Sequence, residues 1–485
     1  MRFSGNPAVV KTLAIVGVAW LLTVGVLSGR VLAADYYVAT SGSDSTGNGS
    51  LSTPWATIQY AVGQVSDGST ILVRPGTYTG RTRFARHFVQ GITVRSEVPY
   101  QAVLTSTNDH VITMYGSNVG ASHITLEDFE IRSQPGNTTP VMVHLDGGGK
   151  SQLVHDITIR NNILHDSFAN DILKINNNAT AIVVEGNMFY NQAGSDEHID
   201  INSVRDVTVQ DNIFFNDFAG SGRVNDNSTS SYIVIKDSNG SRDGIVGANN
   251  ITVRRNVFLN WEGTSGHNFI LCGEDGTKTY ESFNVMIENN LMLGTSANVM
   301  RAPFGVKGSK DITFRNNTIS GNFPSQAFAM RLNREKNNPR VDNVRMYNNI
   351  WTDPTGTMED FSDTPPADIL SFVLYNNLYW NNGAAIPSDP LEKVNYTNDG
   401  ARVEADPRIA NPAGLVIPRW VAASSAFADD STTIRGAFLR LVELYAKTGA
   451  GSAAVGAADP ANIPADDIRG NPRLFWDIGA YEIAR

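Results

Sequence analysis

Four carboxylates and one lysine stand out among the groups in this sequence that could do chemistry. Asp171 opens the segment that runs to Lys174 and Asn176; Asp196, Glu197 and Asp200 fall within a second segment ending at Asn202; Lys236 closes a third that begins at Tyr232. Carboxylates crowded together repel and raise one another's pKa unless a cation sits among them. Hard oxygen donors in irregular number suit Ca²⁺ better than a transition metal, so Ca²⁺ is the expected cofactor if these segments meet. The bland alternative is a solvated acidic turn. In the second segment Ile199 and Ile201 share one face of an alternating strand, which points Asp200 outward and leaves Asp196 and Glu197 in the turn that enters it.

A repeat brings such distant residues together. An alternating β-rich run, a polar pair ending in Asn and a second short apolar run recur, with the Asn at 162, 187, 212, 256, 290, 317, 349 and 377. The steps are 25, 25, 44, 34, 27, 32 and 28 residues, so insertions enter at a loop while the strands keep their pattern. Period-two alternation marks strands with one buried face, and Asn tolerates the left-handed backbone of a tight bend. A unit this short cannot enclose a core alone, so its copies must stack as coils. The predicted fold is all-β, a right-handed parallel β-helix, and steps of 25 residues leave no room for four-stranded propeller blades.

Both ends read as caps. The stretch from Pro54 to Val62 has helical spacing and suits a cover for the first coil, and Thr433 to Lys447 places Ile434, Phe438, Leu441, Val442 and Tyr445 on one helical stripe. Arg2 and Lys11, an apolar run from Leu13 to Leu27, then Arg30 and Val31-Leu32-Ala33-Ala34 read as a secretory signal cleaved after Ala33, with an uncleaved membrane anchor as the alternative. The expected organisation is therefore residues 1–33 as signal peptide, 34–95 as N-terminal cap and first coil, 96–385 as the β-helix, and 386–485 as C-terminal loops, helix and cap. Loss of Arg2, Lys11 and Arg30 with the signal takes the formal charge from -10 to -13. Such acidity argues against a nucleic-acid partner held by counterion release. No second spanning run follows, so a secreted protein without stable membrane insertion, acting as a monomer, is expected. The one cysteine, Cys272, cannot form an internal disulfide and reads as a buried apolar residue.

Stacked coils set Asp171 about 4.8 Å from the coil of Asp196, Glu197 and Asp200. An Asp-Asp-x-x-Asp signature, an Asp one coil earlier and a Lys on a later coil resemble the family 9 polysaccharide lyases, which include calcium-dependent pectate lyases. The match covers Asp171, Asp196, Asp200 and Lys236. The opening, from Tyr36 to Asp44, Pro54 to Gln59 and Gly68 to Tyr78, is similar to that of many secreted β-helix carbohydrate enzymes. The resemblance implies an acidic, uronate-containing polysaccharide as substrate, Ca²⁺ held by Asp171, Asp196, Glu197 and Asp200, and Lys236 as the base of a β-elimination. Glu197 stands where the family has a second Asp, and His198 where it has a small residue. His198 is thus expected to narrow the groove or meet a substrate carboxylate. Arg301 and Arg331, on later coils, are candidates to clamp further carboxylates. By residue type alone Lys236 also reads as a surface ammonium, and the two arginines as solvent-facing strand residues. Lys174 reads as charge balance, and His267, Glu274 and Asp275 as groove-lining residues that no motif supports. Two other functions fit the same scaffold: glycoside hydrolysis by paired carboxylates such as Asp196 and Asp200, and glycan binding without catalysis.

Overall fold

The computed structural model describes residues 34–484 apart from 108, 137–140, 229, 265–266, 296–297, 299 and 323–326. The predicted signal peptide, residues 1–33, lies outside the described residues. Three sheets run from Asp35 to Glu404, two of 12 strands and one of 10, and in each the strands lie side by side in chain order. Every pairing within them is parallel, which is the stacked-coil architecture the repeat predicts. No helix among the described residues is long and apolar enough to cross a membrane.

The 10-stranded sheet carries the strands Val143–Asp146, Leu173–Asn176, Ile199–Asn202, Ile233–Lys236, Ile270–Cys272 and Phe304–Lys307. Leu173, Ile175, Ile199, Ile201, Ile233 and Ile235 all turn inward and are fully buried. Pairing is in register, Leu173 with Ile199 and Ile199 with Ile233, so the alternate residues of each coil form straight rows on the outer face.

At the bend between the other two sheets, the polar pair divides its labour. The first member takes the left-handed backbone: Asn161, Asp211, Asn289 and Asn316 have φ of 54°, 59°, 55° and 49°. The repeated Asn that follows is buried instead and bonds to the next coil. From Asn187 onward each Oδ1 accepts the backbone N–H of the Asn one coil earlier, at 2.9 Å for Asn187, 3.0 Å for Asn256 and 2.9 Å for Asn377, while Asn162 Oδ1 accepts that of Phe129. Asp399 ends the ladder by accepting from the Asn377 backbone and amide at 2.9 and 2.8 Å.

A short helix, Ile58–Gln64, starts on the Thr57 side chain and buries Ile58, Ala61 and Val62 against the first coils. The later helix, Ile434–Tyr445, is N-capped by Thr433. It lies along the solenoid wall, where Ile434, Phe438, Leu441 and Val442 cover Ile163, Met188, Ile213 and Leu291 of the second 12-stranded sheet. Those strands are consequently buried on both faces.

Replacing Asn256 by Leu leaves the Asn212 backbone N–H and the Val209 carbonyl without their partners in the core. The expected cost is about 1–3 kcal/mol for each stranded group. Chemical denaturation measures it, and unchanged stability would show that the ladder does not hold the coils.

Candidate active site

The outer rows of the 10-stranded sheet bring the sequence candidates together. Lys174 lies opposite Asp200 across one strand pair, and Asn202 opposite Lys236 across the next. Asp171 precedes its strand and is almost fully buried. Its Oδ1 accepts the backbone N–H of Glu197 at 3.0 Å, which ties the entry of one strand to that of the next. Oxygens of Asp171, Glu197 and Asp200 lie within 4.8 Å of one another. Lys174 donates to Asp171 Oδ2 at 3.2 Å and to Asp200 Oδ2, so it bridges two of these acids. Lys236 Nζ is 3.9 Å from Asp200 Oδ2, on the same face of the solenoid.

Two acids that no motif marks complete the lysine's surroundings. Lys236 donates to Glu274 Oε2 at 2.6 Å, and Asp275 Oδ1 is 3.9 Å away. Register places them there, since Ile235 pairs with Cys272 and the chain turns at Gly273 directly afterwards. Glu281 is fully buried and holds this turn. Its carboxylate accepts the backbone N–H groups of Glu274 at 2.7 Å, Asp275 at 2.9 Å and Gly276 at 2.7 Å. A lone Glu after a Gly-rich turn is the signal for such a clamp, because turn N–H groups need an acceptor.

Burial, followed by the charges of Glu274 and Asp171, pushes the Glu197 carboxyl well above the usual range. Burial and Asp171 push Asp196 up to about 7. Asp196 is half-buried and stands outside the three acids of closest approach. For Lys236, burial works against the charge, and Asp200, Glu274 and Glu197 outweigh it and hold the ammonium above its ordinary range. Six carboxylates thus share two ammonium groups. Asp200 Oδ1 is buried and, among the described residues, has no hydrogen-bond partner. An all-oxygen donor set with an unused buried oxygen and uncompensated charge fits a hard divalent cation.

His198 is not in the groove. It is fully buried and stacks on Tyr232 with ring centroids 4.3 Å apart and planes at 8°, while Nε2–H donates to Asn216 Oδ1 at 3.1 Å. The cause is the corner that enters each strand, where two successive side chains turn inward: Ile172 with Leu173, Tyr232 with Ile233, and Phe269 with Ile270. His198 occupies the first of these positions, and burial pushes its pKa down to about 3.

Arg301 and Arg331 line a cleft of about 570 Å³ together with His267, Glu274, Asp275 and Lys307. Glu274 and Asp275 connect this cleft to Lys236. Arg331 pairs with Asp363. The side chain of Arg301 has no ion-pair partner among the described residues, and burial and the charge of Arg331 lower its pKa. His267 is bound through Nδ1 to Ser231 Oγ at 2.8 Å, and burial pushes it down to about 3.

No family model matches the chain. Over 49 residues it is 53% identical to the pectate lyase PEL9 of Emericella nidulans, a stretch that covers 10% of this chain and 12% of that relative. Among solved structures, pectate lyase Pel9A superposes with a TM-score of 0.53 at 15% identity, covering 94% of this chain and 97% of that one. A xylose complex of XylC gives 0.46 at 13% identity, covering 78% and 87%. The chain thus shares with Pel9A a parallel β-solenoid fold.

Adding Ca²⁺ to chelator-treated protein is expected to raise Tm, because binding at the acid cluster stabilises only the folded chain. Asp200→Asn should abolish most of that shift. A Tm indifferent to Ca²⁺ in the unaltered protein would count against a cation site among these acids.

Proposed function

We propose that this protein is a polysaccharide lyase that cleaves an acidic, pectate-like polysaccharide by calcium-assisted β-elimination. The observation that carries the reading is the placement of Lys236 beside Asp200, next to Asp171 and Glu197, on one outer face of the solenoid. Asp171, Asp196, Glu197 and Asp200 would hold Ca²⁺. When bound there, Ca²⁺ would neutralise the carboxylate of a uronate residue and so acidify the proton on the neighbouring carbon, C5.

Lys236 then accepts the C5 proton on Nζ. The C5–H electron pair forms a C4=C5 double bond, and the glycosidic oxygen on C4 departs with the electrons of its own bond, taking a proton from solvent. The amine must be neutral for this step. Asp200 and Glu274 oppose neutrality, whereas burial and any cation charge among the acids favour it. The Glu281 clamp keeps Glu274 and Asp275 at fixed positions around the amine, which limits the geometries the lysine samples. Arg301, without an ion-pair partner among the described residues, and Arg331, shared with Asp363, are suited to receive carboxylates of neighbouring sugar residues. Such a substrate lies outside the cell, which agrees with the signal read in residues 1–33.

A panel of uronate polymers, assayed for unsaturated ultraviolet-absorbing ends with Ca²⁺ or chelator, tests the reaction. Lys236→Ala is expected to lower kcat by roughly 10²–10⁴-fold, the usual span for a general base, while Ca²⁺ still raises Tm. Because the carboxylates raise the lysine pKa and the base acts deprotonated, kcat/KM should climb as pH rises into the alkaline range. New reducing ends without ultraviolet absorbance would mean hydrolysis instead, and ligand retention without turnover on every polymer would mean a binding protein.

A further inference from the structure

A second cluster with metal-ligating chemistry lies on the first 12-stranded sheet, apart from the acids of the groove. Its members come from adjacent strands, Ala121–Glu127 and Val154–Arg160. We propose that His123, His155 and Asp156 form a site for a first-row transition-metal dication of the zinc class. One nitrogen from each imidazole and one carboxylate oxygen lie within 4.8 Å of one another. Both rings face the same oxygen: Asp156 Oδ2 is 2.7 Å from His155 Nδ1 and 3.7 Å from His123 Nε2.

The backbone makes this convergence. His123 and Asp156 have φ of 57° and 53°, and they stand at the bulge between the paired residues on either side, Ser122 with His155 and Ile124 with Ile157. Later coils have left-handed residues at the same bulge, among them Asp206, Asn250, Asp311 and Asn343. There the side chains close on each other directly: the Asn250 amide donates to Asp206, and the Asn343 amide to Asp311 at 2.6 Å. His123 and Asp156 are instead separated by 3.7 Å, too far for a hydrogen bond. With metal–ligand bonds of about 2.0–2.1 Å in a tetrahedral arrangement, ligand atoms sit roughly 3.3 Å apart, so an ion would draw the 3.7 Å gap in and open the 2.7 Å hydrogen bond between His155 Nδ1 and Asp156 Oδ2.

The donor set selects the ion. Two imidazoles and one carboxylate suit zinc, copper or nickel, whereas the all-oxygen cluster of the groove suits a hard cation. His87 supports the site without joining it. Its Nε2–H donates to the Val119 carbonyl at 2.8 Å and its Nδ1 accepts from Ser122 Oγ at 2.9 Å, so both nitrogens are used while the ring stacks on His155 at 6.0 Å. Three protein ligands leave a position open to water or to a donor group of another molecule. This inference is independent of the lyase reading.

The test titrates chelator-treated full-length protein with Zn²⁺ by calorimetry, with excess Ca²⁺ present throughout to occupy the acidic cluster. One equivalent is expected to bind, and His123→Ala and His155→Ala should each weaken it by roughly tenfold or more, at least the loss that follows from removing an outer partner of a metal ligand. Asp200→Asn should leave zinc binding unchanged. With Cu²⁺ as spectroscopic probe, electron paramagnetic resonance should report two nitrogen donors in the unaltered protein and one in each histidine variant. Metal-free melting curves establish that the variants fold, with His123→Gln replacing any that does not. Absence of Zn²⁺ binding, or binding undiminished in both histidine variants, overturns the proposal.

Discussion

In-register parallel pairing of successive coils is the constraint on which everything else rests. Because side chains alternate between faces, a slip of one residue in any coil would turn its apolar set outward and its polar set inward. Leu173, Ile199 and Ile233 stack without such a slip, and Lys174, Asp200 and Lys236 meet for that reason alone. The insertions that lengthen the repeat to 44 and 34 residues leave the strands untouched. The Asn ladder helps to keep this register, since each buried amide bonds to the coil on either side, as Asn256 does to Asn212 and Asn290.

That rigidity lets the site hold charges that would scatter in a softer framework. Asp171, Glu197 and Asp200 are buried together, and the cost shows in the raised pKa of Glu197. Placing like charges in low dielectric is unfavourable unless each is paired or hydrogen-bonded. Here Asp171 is partly satisfied by the Glu197 backbone and by Lys174, and Lys236 is shared between Asp200 and Glu274. A solenoid whose core runs unbroken through these coils can carry the remaining penalty. A divalent cation held among these acids would offset the charge that folding leaves uncompensated.

The architecture was legible in the sequence because one period of strands and Asn repeats often enough to exclude other stackings. Asp171, Asp200 and Lys236 are picked out by the segments that precede the alternating run and by the family resemblance, and the register of those segments brings them to one face. The failures are equally local. His198 is assigned to the groove from its place in the family motif, whereas at the corner two consecutive side chains turn inward and His198 joins an aromatic stack. The left-handed bend falls to the first member of the polar pair, an Asn at 161, 289, 316, 348 and 376, and not to the repeated Asn that follows it. Glu281 carries no repeat signature at all, because its role is to satisfy the backbone of one particular turn. The stripe of the Ile434–Tyr445 helix could be read, but the wall it covers could not, since that depends on which strands expose apolar residues on both faces.

Along the outer face the charge changes sign. Acids dominate at the Leu173 and Ile199 strands, and Arg301, Lys307 and Arg331 gather at the Phe304 and Met330 strands, three to five coils or roughly 14–24 Å farther along the stack. A polyanion laid in this groove, as the proposed function requires, would be held in two physically different ways. At the arginines it would meet charge and hydrogen bonds directly, in contacts open enough for salt to screen. At the acids it would be repelled unless a cation mediates, and the buried setting there screens little. On the proposed function, substrate recognition and cation binding would therefore be coupled at one end of the groove and independent at the other. It follows that chelation should weaken binding near Asp200 selectively, whereas added salt should act chiefly on the contacts made by Arg301 and Arg331.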